Sequence, residues 1–177
     1  AHFHCHRADD MMTAIRIAKE FHLDAVLVHG TEGHRIPDVI QKAGVPVICG
    51  PILCDRCKPE LQYLEITTPN TLYQHGIPIA LCTDHTVIPI QYLPTTAALA
   101  VKGGLPYEAA LQAITVMPAK ILGIADRVGS LAAGGRPWRL QWRAPPAGGQ
   151  SSPAATCGGW GPPPAEHPGG ETKACRV

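Results

Sequence analysis

Four short stretches of this chain carry side chains that could do chemistry: His2-Phe3-His4-Cys5-His6, Val28-His29-Gly30, Ile48-Cys49-Gly50 and Cys82-Thr83-Asp84-His85. Three of the four offer imidazole or carboxylate, the ligand types of zinc and related divalent ions. A divalent ion held by neutral imidazoles lowers the pKa of a bound water to roughly 7, so a hydroxide nucleophile exists near neutral pH. A carboxylate beside it takes the proton during attack and returns it to the leaving group. Asp84 suits both ligation and proton transfer; the alternative is that it caps the turn that follows. His2, His4 and His6 share one strand face by the two-residue period, so more than one can point the same way. Taken singly, each histidine is more often a polar strand end than a ligand. Their joint placement is what points to a metal.

That placement depends on the elements around them. Ala25-Val26-Leu27-Val28, Val45-Pro46-Val47-Ile48 and Ile77–Cys82 are short apolar runs, and with His2–His6 they read as four strands. Between them lie helical patterns. Asp9-Asp10 is expected to cap a helix whose Met11, Ala14, Ile15, Ala18 and Phe21 fall on one face, and Pro37 and Gly44 bracket a second helix over Asp38–Ala43. Asn70 is expected to cap a third that stops at Gly76, and further helices are expected near Thr95–Lys102, Tyr107–Thr115 and Ala119–Leu122. Strand, loop, helix, strand is the βαβ alternation of a parallel sheet. Continuous rather than alternating apolar strands fit a sheet covered by helices. In such α/β folds, chemistry gathers at the C-terminal ends of the strands, where His4/His6, His29 and Asp84-His85 fall. Four units are half of an eight-stranded barrel or a small open sheet. The open-sheet alternative has no Gly-rich phosphate loop after any strand to support it.

Composition sets the limits. The chain has 177 residues with 15 Lys+Arg and 14 Asp+Glu, a formal charge of +1, which leaves no electrostatic footprint for nucleic acid or an anionic membrane. No apolar stretch approaches the ~20 residues of a membrane span, and AHFHCHRADD is not a signal peptide. The length is short for a closed (β/α)8 barrel, which takes roughly 200 residues or more. With no initial Met, the chain is expected to be a fragment. Gly134 to Val177 holds 9 of the 18 Gly, 8 of the 18 Pro and all three Trp, but only Leu140 and Val177 among Leu, Ile and Val. Such a segment buries too little apolar surface to offset ordering, so residues 1–133 are expected to fold and 134–177 to be a disordered low-complexity tail. The seven Cys, odd in number and partly inside apolar runs, suggest reduced thiols in a cytoplasmic protein. Cys54-Asp-Arg-Cys57 lacks a second Cys or Cys/His pair at zinc-finger spacing.

Four segments in order resemble the second half of a metal-dependent amidohydrolase, in the group related to imidazolonepropionase: Phe3-His4-Cys5-His6-Arg7-Ala8-Asp9-Asp10, Val28-His29-Gly30-Thr31-Glu32-Gly33, Cys82-Thr83-Asp84-His85 and Met117-Pro118-Ala119-Lys120-Ile121-Leu122-Gly123. The family's pattern continues into Arg127-Val128-Gly129-Ser130-Leu131, where its chain leaves the barrel for a small β-sandwich. The resemblance implies an α/β fold, a partial TIM-type barrel of about strands 5–8, that hydrolyses an amide or cyclic amide C–N bond with one or two divalent ions, most readily zinc. It places the fifth-strand metal histidine on His4 or His6, with His4 favoured, the sixth-strand histidine on His29, and the eighth-strand aspartate, proton shuttle and ligand, on Asp84. Arg7, Glu32 and His85 neighbour these and are candidates to line the substrate pocket, with ordinary caps or surface contacts as the alternative.

Two features depart from the family. Its first strand supplies a His-x-His pair and its fourth a Lys or Glu, and neither has a counterpart here. His4-Cys5-His6 has the spacing of that first pair, but the helix and the Val-Leu-Val-His29-Gly strand that follow fit the fifth-to-sixth passage better. After Gly134 the family's Gly-Lys-x-Ala-Asp gives way to Gly135-Arg136-Pro137-Trp138, which reads like translation in another frame or a natural low-complexity tail. The chain alone is therefore expected to be inactive. It would be a truncated product, or a half-barrel that pairs with itself as a homo-oligomer or with a separately encoded N-terminal half.

Overall fold

The computed structural model describes residues 1–130; Leu131, the 134–177 tail with its three Trp, and Cys157 and Cys175 lie outside the described residues. Four strands, β1 (His2–Cys5), β2 (Val26–His29), β3 (Val47–Cys49) and β4 (Ile79–Leu81), form one sheet in the order β1-β2-β3-β4, and every neighbouring pair is parallel. The helices are α1 (Ala8–Glu20), α2 (Pro37–Ala43), α3 (Thr68–Gln74), α4 (Leu93–Lys102), α5 (Tyr107–Ala113) and α6 (Val116–Ile121), with short 3-10 turns at Gly33–Arg35, Pro59–Leu61 and Ile90–Tyr92.

The sheet presents two different faces. In register, Cys5, His29, Cys49 and Leu81 align across the strands, as do Phe3, Leu27, Val47 and Ile79. This set, His29 excepted, packs with Met11, Ile15, Ile40, Leu72, Ala100 and Ala113 from the helices into a single core. The opposite face carries His2, His4, Val26, Val28, Ile48 and Ala80, and there His2 and His4 are exposed. A sequential parallel order with the core helices against one face follows from right-handed crossovers that all run the same way. A doubly wound sheet instead reverses its strand order and covers both faces.

Local signals explain most boundaries. Pro37 stands in the first turn of α2, and Gly44 ends that helix in the left-handed conformation (φ 69°), closing it with bonds from its N–H to the Ile40 and Gln41 carbonyls. Three expectations shift. α1 begins at Ala8 with Arg7 as its N-cap, so Asp9 and Asp10 lie inside the first turn, where the helix dipole favours them. Its last residue is Glu20; Phe21 sits past the final turn and is 64% exposed rather than part of the apolar face. α3 starts at Thr68 with Pro69 in its first turn, which puts Asn70 inside the helix instead of at its cap. Pro at a first turn is the stronger start signal here because its missing N–H costs nothing there.

Candidate metal centre

Parallel pairing brings every strand's C-terminal end to one edge, and the loops leaving that edge carry His6, His29 and Asp84. The edge is stitched together by backbone bonds that extend the ladder. Gly30 donates to Cys5, Glu32 to His6, Gly50 to His29 and Cys82 to Cys49.

His29 is the most constrained of these residues. It is 7% exposed and has φ 76°, a left-handed conformation rare for a non-glycine residue. Strand alternation would aim its side chain at the helix side, beside Cys5, Cys49 and Leu81. The left-handed backbone instead releases the ring to the other side of the edge, where it meets His4 and His6. Gly30 follows at φ 53°, and a Cβ there would fall 2.5 Å from Val47 Cγ1, so the turn needs a residue without one.

Hydrogen bonding fixes the tautomer. His29 Nδ1 lies 2.8 Å from the Gly50 carbonyl oxygen, which can only accept, so Nδ1 carries the proton. In the neutral ring Nε2 then holds a lone pair, and it lies 3.2 Å from His4 Nδ1. A carbonyl that orients an imidazole from behind is the usual arrangement behind a metal-ligating histidine. The carbonyl is held in turn by close packing. Gly50 sits at φ 133°, and a Cβ on it would run into the Cys82 carbonyl.

His6 stacks on His29 with ring centroids 4.4 Å apart and planes 14° apart, while His4 meets His29 edge-on at 5.0 Å. His6 Nδ1 is 2.8 Å from Thr31 Oγ1. Burial lowers the His6 pKa, with the neighbouring His29 and the Lys58 ammonium adding to the effect while Glu60 and Asp84 oppose it. A lowered pKa keeps that imidazole neutral, the form that can ligate a cation.

Asp84 follows β4, is half-buried, and has φ 51°, so both strand-end residues assigned to metal chemistry stand in strained backbone. Its backbone carbonyl closes the next turn by accepting from Val87 N–H at 2.7 Å. The turn is thus closed by main chain.

The bordering residues have partners of their own. Arg7 is exposed and forms a two-pronged ion pair with Asp9 at 2.8 and 2.9 Å, which holds the Asp9 carboxyl below its ordinary range. Glu32 is buried; its Oε2 accepts from the Ala8 N–H that opens α1, at 3.0 Å, and lies 3.5 Å from Arg35. His85 is exposed and accepts from Ile90 N–H at 3.3 Å. Cys54 is half-buried and Cys57 exposed, each a free thiol. Among the described residues no three His, Cys, Asp or Glu side chains stand close enough to form a complete metal site. The donors present still fit a divalent ion, because His29 offers a lone pair fixed in direction and His4 and His6 both touch its ring.

Two participants escape sequence reasoning: the Gly50 carbonyl and the Thr31 hydroxyl. Thr31 alone leaves a trace, two residues past the strand-end histidine. A carbonyl has no residue signature.

Comparison with known proteins shows the family and the fold. The sequence model described as the amidohydrolase family matches residues 2–153. A solved amidohydrolase from Thermotoga maritima superposes with a TM-score of 0.74 at 46% identity, over 76% of this chain and 35% of that one. An adenosine deaminase from Xanthomonas campestris with bound zinc shares the fold at a TM-score of 0.52 and 22% identity, over 76% of this chain and 35% of its own. A curated relative, amidohydrolase tasK of Hapsidospora irregularis, is 28% identical over 156 residues, 85% of this chain and 16% of that protein. The chain thus spans about a third of the first solved relative and about a sixth of the curated one.

Proposed function

The chain belongs to the amidohydrolase family, and on that premise we propose that residues 1–133 are the second half, about strands 5–8, of a TIM-type barrel hydrolase. In complete form it would cleave a C–N bond of a small amide or cyclic amide, in the manner of the imidazolonepropionase-related group. The observation that carries the reading is His29. Left-handed backbone, a proton committed to the Gly50 carbonyl, and an Nε2 lone pair turned toward His4, with His6 stacked on the ring, together make a directed ligand.

His29 and one of the His4/His6 pair would hold a divalent ion, most readily zinc, with Asp84 completing this chain's share. When bound, the ion activates water and polarises the carbonyl. Asp84 would accept the proton of the attacking water and hand it to the departing nitrogen. Arg7, Glu32 and His85 border the mouth; Glu32 holds the start of α1 and so the loop that carries His6. The sheet face bearing exposed His2 and His4 would line the barrel interior and meet the other strands. Free thiols at Cys5, Cys49, Cys54, Cys57 and Cys82 suit a reducing, cytoplasmic setting. Among the described residues no helix is long and apolar enough to cross a membrane.

Two imidazoles and one carboxylate are about half of a hydrolase's first shell, so the 177-residue chain is expected to turn over little by itself. The test is coexpression with a polypeptide carrying the family's His-x-His first strand, assayed with zinc on a panel of amides and dipeptides. Activity should appear only in the mixture and disappear in Asp84→Asn. Hydrolysis by the lone chain, faster than by its Asp84→Asn variant, would refute the half-barrel reading.

A further inference from the structure

The bond between His6 and Thr31 is the inner end of a longer set that reaches α3. Thr31 and Thr68 are 5% and 3% exposed, so their polar groups must find partners inside the protein. Thr68 is the first residue of α3, and its Oγ1 lies 3.4 Å from the Thr31 carbonyl oxygen and 2.8 Å from His34 Nδ1. A carbonyl only accepts and a hydroxyl has one proton, so Thr68 donates to Thr31 and accepts from the His34 Nδ1–H. The carbonyl also ends the path for protons. What passes from α3 to Thr31 is therefore position, not charge.

Packing holds both ends of this set. A Cβ on Gly33 would lie 3.3 Å from each Leu72 Cδ, so α3 is seated directly on the Gly33–Arg35 turn that follows Thr31. On the other side, the Glu32 N–H donates to the His6 carbonyl at 2.9 Å, and Thr31 Oγ1 lies 2.8 Å from His6 Nδ1. The segment after β2 thus meets His6 twice, once through main chain and once through a side chain.

We propose that Thr68 is a positioning residue for the metal centre: by holding the Thr31 carbonyl it aims the Thr31 hydroxyl at His6 Nδ1 and keeps the His6 ring stacked on His29. The assignment rests on the hydrolase reading above for the ion that the two rings would share, while the stack itself can be measured without one.

The test uses the 177-residue protein. Thr68→Val keeps the shape and removes the hydroxyl, Thr68→Ala removes it at smaller volume, and Thr68→Ser keeps it. Two quantities are read: the nuclear Overhauser contact between the His6 and His29 rings in chelator-treated protein, and zinc affinity by calorimetry. Thr31→Val should lose the ring contact and weaken zinc binding about tenfold. Thr68→Val and Thr68→Ala should move both readouts the same way, and Thr68→Ser should return both to wild type. Because Thr68 acts through Thr31, the double variant Thr31→Val/Thr68→Val should bind zinc no more weakly than Thr31→Val alone. A merely structural Thr68 would lower the melting temperature in Thr68→Val and leave ring contact and zinc affinity at their wild-type values. That result, additive losses in the double variant, or no rescue by Thr68→Ser would each overturn the proposal. Failure of the hydrolase reading looks different. Zinc binding that survives His29→Ala, with the ring contact still lost in Thr68→Val, removes the metal centre and retains Thr68 as the residue that positions His6.

Discussion

His6 shows how residue-level environment fixes chemistry. Burial and the neighbouring His29 make its imidazole harder to protonate when folded, against an ordinary value of 6.5. The unfolded chain therefore binds more protons between the lowered folded pKa and that ordinary value. The metal-free protein keeps the full contribution of a neutral His6 above the ordinary value and loses it as the pH falls through the folded one. Urea midpoints measured from about pH 7.5 down to about pH 5 should fall, and His6→Gln should flatten part of that slope. An identical slope in wild type and His6→Gln would show that His6 is not perturbed. At this scale, the places of His29 and Asp84 at or just past strand ends, and of His4 and His6 on and just after the first strand, were legible because the apolar runs mark where the strands stop. What orients them was not: the Gly50 carbonyl reaches His29 only because β2 and β3 pair in one register.

Between the strands, the elements act as a frame. The strands were legible because short β-branched runs alternate with helical spacing, and all four end within a residue of the expected place. The 3-10 turn over Pro59–Leu61 gave no periodic signal, since three residues cannot establish a period. The reversal of His29 was also hidden, because nothing in Val-Leu-Val-His-Gly but the glycine hints at left-handed backbone. Packing holds the frame through residues such as Met11, which is fully buried on α1 against the helix-covered face of the sheet. Met11→Ala removes several methylene-sized groups from that core and should cost about 2–5 kcal/mol. Chemical denaturation reads this directly, and a loss below about 0.5 kcal/mol would mean that α1 does not pack as described.

Across the whole molecule, the four parallel strands run in the order β1-β2-β3-β4, with core helices against one face and two histidines exposed on the other. The family match and the 46% identity to the Thermotoga maritima amidohydrolase, over 35% of that chain, place this sheet in an amidohydrolase fold. The boundary expected at residues 133/134 from the Gly/Pro-rich composition falls outside the described residues. The account as a whole depends on imidazoles from two adjacent strands addressing one cation. Cobalt(II) titration of the 177-residue protein, followed by its visible absorption, measures this most directly. His29→Ala should weaken cobalt binding at least about tenfold, while His75→Ala, whose ring bonds the Thr71 carbonyl on α3, should leave it unchanged. Equal cobalt affinity in wild type and His29→Ala would contradict the metal centre.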